Sequence, residues 1–158
     1  MKQLTVHNQA TLWLFLPIFF CLAGCQGYES SIPDRTVYLK RNIYIIYSES
    51  SSGSLSNSGS SLYVTSSNIA TEELGYGGII VVHAFDDSYY AFDLACPVEV
   101  DENIRIGKPD QSLICKCDSC NEEYDLSLGL GTPLNHISKE GLRRYNVTLD
   151  GNYIIVTR

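Results

Sequence analysis

The chain has little positive charge, little histidine and no sustained amphipathic run. Of its 158 residues, 11 are Lys or Arg against 18 Asp or Glu, a formal charge of −7. A nucleic-acid surface needs clustered Lys and Arg, so this balance argues against that class of partner. Only three histidines are present. His83 falls within a strand-like run, His136 lies beyond a Gly/Pro turn, and neither has ligand spacing. No Ser–His–Asp order or dinucleotide fingerprint occurs, and Gly129-Leu-Gly-Thr132 lacks the following helix that a phosphate cradle needs. No catalytic residue set and no small-molecule substrate can therefore be named. No stretch keeps apolar residues at helical spacing for long, and no internal repeat is visible.

What the chain does have is tyrosine, 11 in all, many set between β-branched residues as strands prefer. Strand-like runs are Val37–Leu39, Ile43–Tyr47, Leu62–Val64, Ile79–His83, Tyr89–Asp93, Leu113–Ile114, Tyr124–Leu126, Leu142–Leu149 and Tyr153–Val156. Ser48–Ser67, rich in Ser and Gly, predicts a solvated loop around one short strand. Gly75–Gly78 and Asp86–Ser88 read as turns, and Asp150-Gly151 as a two-residue hairpin turn. The expectation is an all-β domain of short strands.

The N-terminus answers where the chain goes. Lys2 precedes an apolar run, Thr11–Cys21, too short to span a bilayer, and small residues lead to Cys25 as in a cleaved secretory signal. Leu22-Ala-Gly-Cys25 resembles the bacterial lipobox, in which the cysteine is acylated and becomes the first mature residue. That resemblance implies a signal peptide over 1–24, a lipid anchor at Cys25 with a tether over 25–34, and a β domain over 35–158. It places the protein in the cell envelope, attached to a membrane on its periplasmic or surface side, where thiols oxidise readily. Residues 1–24 hold one Lys and no acid, so ten basic residues face 18 acidic ones in the mature chain. The anchor, and not charge, would do the attaching.

Four of the remaining cysteines form two groups, Cys96 alone and then Cys115, Cys117 and Cys120, each after a short apolar run. The two loops that carry them fall within about residues 95–123. Thiols gathered in so few loop residues ligate a metal or cluster, pair as disulfides, or react. A Cys-x-x-Cys dithiol usually needs a helix N-terminus to lower its thiol pKa, and nothing predicts a helix at Cys117.

From about Gly77 onward the chain resembles a Rieske-type iron–sulfur domain. The resemblance rests on Gly78-Ile-Ile-Val-Val82, Tyr90-Ala-Phe-Asp93, Ala95-Cys-Pro97, Cys117-x-x-Cys120-x-x-x-Tyr124-Asp125, a Gly/Pro turn, and Leu142-Arg-Arg-Tyr-Asn-Val147. It implies a small antiparallel barrel or sandwich with two cysteine-bearing loops, and a role in electron transfer with a redox protein partner. The chain departs from the family at the ligands. A Rieske centre uses two thiolates and two imidazoles. Here Val98 stands at the first histidine position and, in the register set by Tyr124, Cys120 stands at the second. An alternative register pairs Cys115 with Asp118 and misplaces the downstream aromatic.

Three outcomes remain open for the four thiols. Cys96, Cys115, Cys117 and Cys120 would supply all donors of a thiolate-ligated 2Fe–2S cluster, since Cys115 and Cys117 share one face of a strand. They would alternatively hold a structural zinc ion at about 2.3 Å, although the familiar zinc signal is two Cys-x-x-Cys knuckles and this chain has one plus a lone cysteine. In an oxidising compartment they would otherwise pair as disulfides, leaving a cluster-free structural or interaction domain. The acidic residues nearby, Glu99, Asp101, Glu102, Glu122 and Glu123, lack calcium-loop spacing and read as a solvated face. Lys139, Arg143 and Arg144 read as a solvated strand edge.

Overall fold

The computed structural model describes residues 30–51 and 53–158, and every regular element among them is a strand. There are ten: β1 (Val37–Asn42), β2 (Ser61–Val64), β3 (Glu73–Leu74), β4 (Ile79–His83), β5 (Tyr89–Asp93), β6 (Ile114–Lys116), β7 (Glu123–Asp125), β8 (Thr132–Pro133), β9 (Arg144–Asp150) and β10 (Tyr153–Thr157). Seven form one antiparallel sheet in the order β2-β4-β5-β9-β10-β1-β3, and β6-β7-β8 form a second. The domain is thus all-β and antiparallel. The signal segment and Cys25 lie outside the described residues.

The unbroken apolar run of β4 explains how the layers stack. An alternating strand buries one face, whereas Ile79–His83 is buried at every position and must be covered on both. Ile79 and Val81 point into a core shared with Val37 and Leu39 of β1, Leu62 and Val64 of β2, and Ile154 and Val156 of β10. Ile80 and Val82 point the other way, against Phe92, Leu94, Ile106, Leu113, Tyr124, Leu126 and the cysteines. β1, half-buried on its outer face, shows the plain alternation instead. The cysteine-bearing sheet is therefore a second layer with a core of its own.

Three local expectations change. Ile43–Tyr47 is a turn and not a strand. The Asn42 side chain accepts the Tyr44 N–H at 2.9 Å, the Ile43 N–H goes to Asn152 O, and Tyr44, Ile45 and Ile46 face solvent. An asparagine that offers the backbone its own acceptor ends a strand in this way. The Ser/Gly stretch is not wholly solvated, because Ser54, Leu55 and Ser60 are buried beside β2. In the last hairpin Asp150 pairs with Tyr153, so the turn residues are Gly151 and Asn152, with Gly151 at φ 57°.

Candidate metal centre

Two tight turns carry the site. In the first, Cys96 O accepts the N–H of Glu99 at 3.2 Å and of Val100 at 2.9 Å. In the second, Cys117 O accepts the Asn121 N–H at 2.8 Å, while the Cys117 N–H goes to Glu122 O. Each turn thus closes from a cysteine carbonyl to the fourth residue on, and each of those residues has positive φ, 53° at Val100 and 63° at Asn121. Asparagine takes that conformation readily, whereas a β-branched valine there is strained. Such strain persists where the surrounding fold enforces it.

The turns face each other. The Sγ atoms of Cys96, Cys117 and Cys120 all lie within 4.8 Å of one another, and Cys96 and Cys120 are 3.6 Å apart. Tyr124 Oη stands 3.7 Å from Cys96 Sγ. Cys96 and Cys117 are buried among apolar side chains, and Cys120 is half-buried at the mouth. Cys115 does not join them: its sulfur contacts Tyr124 O at 3.6 Å, behind the β6–β7 pair. Burial is the first cause that pushes the Cys96 thiol up to about 12, and it also raises Cys115 and Cys120. These thiols are protonated at neutral pH and are weak nucleophiles, so an incoming metal must displace protons.

Two buried carboxylates fix the frame. Asp93, at the end of β5, accepts N–H bonds from Tyr76 (2.8 Å), Gly77 (2.9 Å) and Ala95 (2.7 Å), and the Tyr145 hydroxyl at 2.5 Å. It thereby positions the strand that leads into the first cysteine turn. Gly77 passes so close that a Cβ there would lie 2.4 Å from Ala95 N. Glu122, two residues past Cys120, accepts N–H bonds from Glu123 (3.1 Å), Asn135 (2.8 Å), Ile137 (2.6 Å) and Ser138 (2.7 Å). It holds the 134–138 loop beside the mouth of the site.

Glu122 is therefore no part of a solvated face, contrary to the sequence expectation: it is fully buried. The carboxylate meets three amides of that loop besides its neighbour's, and nothing in its local sequence could show this. His83 is buried as well, stacked on Tyr89 at 4.3 Å with Nε2 2.9 Å from Asp87. Arg143 donates to Ile32 O and Asp34 and is not a free surface residue. His136 is exposed and Asp101 and Glu102 are solvated, as expected.

No protein-family model and no curated protein matches the chain. Among solved structures it is similar to the ferredoxin of carbazole 1,9a-dioxygenase from Nocardioides aromaticivorans IC177, at 25% identity over 49% of this chain and 72% of that one, with a TM-score of 0.35.

Proposed function

We propose that the chain is an electron-transfer domain of the bacterial cell envelope, lipid-anchored through Cys25, whose redox centre is iron held by the thiolates of Cys96, Cys117 and Cys120. The observation that carries this reading is the meeting of three sulfurs from two separate turns within 4.8 Å. Three soft donors in an apolar pocket suit iron or zinc and suit hard oxygen-seeking cations poorly.

A 2Fe–2S cluster, which the Rieske resemblance names, takes four protein donors, two on each iron. These residues fill three of those places. Val98 offers no donor atom, and the Cys115 sulfur is turned to the Tyr124 carbonyl. They fit iron–thiolate chemistry and fall one donor short of that cluster. Bound iron would supply a one-electron couple. The protein's own part is to exclude water with Ile106, Leu126 and Leu142, and to set the sulfurs through the two turns. Exposed acids about the tips, Asp101, Glu102 and Asp118, favour a redox partner with a basic face.

Ser31 Oγ donates to Pro97 O at 3.2 Å, beside Cys96, and the Ser31 N–H goes to Glu140 at 3.1 Å. Ile32 is buried. Five Cα steps from Cys25 reach Ser30, at most about 18 Å. An acyl chain on Cys25 would hold the cysteine end of the domain toward the bilayer.

The test is anaerobic purification of the full chain, with its visible spectrum, iron, zinc and sulfide contents, and thiol count. The expected result is thiolate-to-iron absorption that bleaches on reduction. Zinc without iron would end the electron-transfer reading. A second reading, a cluster-free domain with a disulfide, draws on the 3.6 Å approach of Cys96 and Cys120. It requires a colourless sample in which peptide mapping finds those two linked.

A further inference from the structure

The two cysteine turns are built alike, and aligning them names a residue that ligand spacing alone does not. Cys96 corresponds to Cys117 and Val100 to Asn121, since both pairs close by a bond from the cysteine carbonyl and both closing residues have positive φ. The residue before the closing position is Cys120 in the second turn. In the first turn it is Glu99. Cys117-x-x-Cys120 thus faces Cys96-x-x-Glu99, two turns of one form presenting three sulfurs and a carboxylate.

We infer that Glu99 is the fourth donor at this pocket and that the site holds one tetrahedral divalent ion, zinc or ferrous iron, through Cys96, Cys117, Cys120 and Glu99. This rests on the reading of the pocket as a metal centre and replaces the two-iron form of it.

Geometry and chemistry both support a single ion. Metal–sulfur bonds of about 2.3 Å at tetrahedral angles put neighbouring sulfurs about 3.8 Å apart. Cys96 and Cys120 are 3.6 Å apart, and all three sulfurs fall within 4.8 Å. Sulfurs divided between two irons would spread more widely than sulfurs sharing one ion. Carboxylate oxygen is an ordinary partner of thiolates around zinc. Glu99 already reaches the opposing turn: its Oε1 accepts the Ser119 hydroxyl at 2.8 Å, next to Cys120. The Glu99 carboxylate does not lie within 4.8 Å of all three sulfurs, so its side chain must leave that hydroxyl and turn inward to join them on the side where Cys120 is half-buried. Binding deprotonates the three thiols and releases their protons to solvent. The strained Val100 then has a purpose, since it is the residue that closes the turn presenting Glu99.

The test uses cobalt(II) as a probe on the reduced, metal-free full chain under anaerobic conditions, with isothermal titration alongside optical spectra. The expected result is saturation at one cobalt per chain with intense tetrahedral thiolate bands. Glu99→Ala should weaken binding by about 100-fold or more, since even loss of an outer-sphere partner costs 10- to 100-fold. Glu99→Cys should restore tight binding with a stronger sulfur-to-cobalt charge-transfer band. Glu99 is half-buried and its bond to Ser119 is solvent-exposed, so the metal-free melting of both variants should stay close to that of the parent. Unchanged affinity in Glu99→Ala, or two irons with two sulfides per chain after anaerobic purification, would overturn the inference while leaving a metal centre in place. Failure of the parent chain to bind any metal would remove both.

Discussion

Replacing Glu122 by alanine should destabilise the domain by about 3 kcal/mol. The carboxylate is fully buried and accepts four backbone N–H bonds at 2.6–3.1 Å. A hydrogen bond to a charged group contributes about 1.5–3 kcal/mol, so the gross loss is about 6–12 kcal/mol. Much of it is recovered, because three donors belong to the 134–138 loop, whose Leu134 to Ile137 already face solvent. When that loop peels away its amides return to water, and the net cost falls to the lost loop packing plus the donors that stay buried. Glu122→Gln keeps the shape but turns an NH2 toward backbone N–H groups, and should cost about half as much. Urea unfolding of the reduced, metal-free protein measures both, with the m-value slightly lowered if the loop opens in the folded variant. Amide exchange at Asn135, Ile137 and Ser138 should accelerate in step. A loss below about 1 kcal/mol in Glu122→Ala, with those amides still protected, would refute the assignment of Glu122 as the staple of this loop.

Four further outcomes follow from the same structure. Cys117→Ala should abolish metal binding while Cys115→Ala retains it at parent stoichiometry, as metal analysis of the purified variants would show, because only Cys117 joins Cys96 and Cys120. Gly77→Ala should cost about 3 kcal/mol in urea unfolding, since its Cβ would meet the backbone of Ala95 at 2.4 Å and neither chain can yield cheaply. Burial opposes ionisation of Glu72, yet Arg41 and Ser67 outweigh it and hold its carboxyl below the ordinary carboxylate range. Because the folded value is the lower one, its stabilisation is full at neutral pH and is lost as pH falls through that value. The gap in melting temperature between the parent and Glu72→Gln should therefore close on acidification. Trp13 is the sole tryptophan and lies in the segment expected to be removed, so Ile137→Trp gives a single reporter. In the acylated protein on brominated lipid it should be quenched more than Leu149→Trp, and equal quenching would contradict the proposed orientation.

Much of the scaffold was legible because its signals are local. The run Ile79–His83, the turn before Tyr89 and the Asp-Gly near the C-terminus carry strand and hairpin signatures in their own side chains, and the sheet order adds little to them. Ile43–Tyr47 misled for the same reason, since five β-favouring residues outvoted an Asn42 that caps the strand before them. At the site, spacing pointed to the cysteines, and the downstream Tyr124 favoured the register in which Cys117 and Cys120 act together. Spacing could not exclude Cys115, because strand alternation puts it on the face of Cys117 while its sulfur turns to a carbonyl. Asp93 and Glu122 were illegible in principle. Their meaning lies in amides 13–17 residues away, brought near only by the fold.

The double burial of β4 bears on how the fold and a metal held by these cysteines would depend on each other. In a small zinc-dependent domain the ligands meet only when metal supplies the folding energy. Here the face of Ile80 and Val82 gives the cysteine sheet an apolar base, and the protonated thiols of Cys96 and Cys115 serve as members of that core. Glu122 and Asp93 fix the flanking segments without any contribution from metal. An ion bound there would meet sulfurs that the fold itself gathers, so the cost of ordering the two turns would fall on folding and not on binding. Such an ion would have to displace thiol protons among apolar side chains, so affinity at this site should be governed more by pH than by the stability of the fold that carries it.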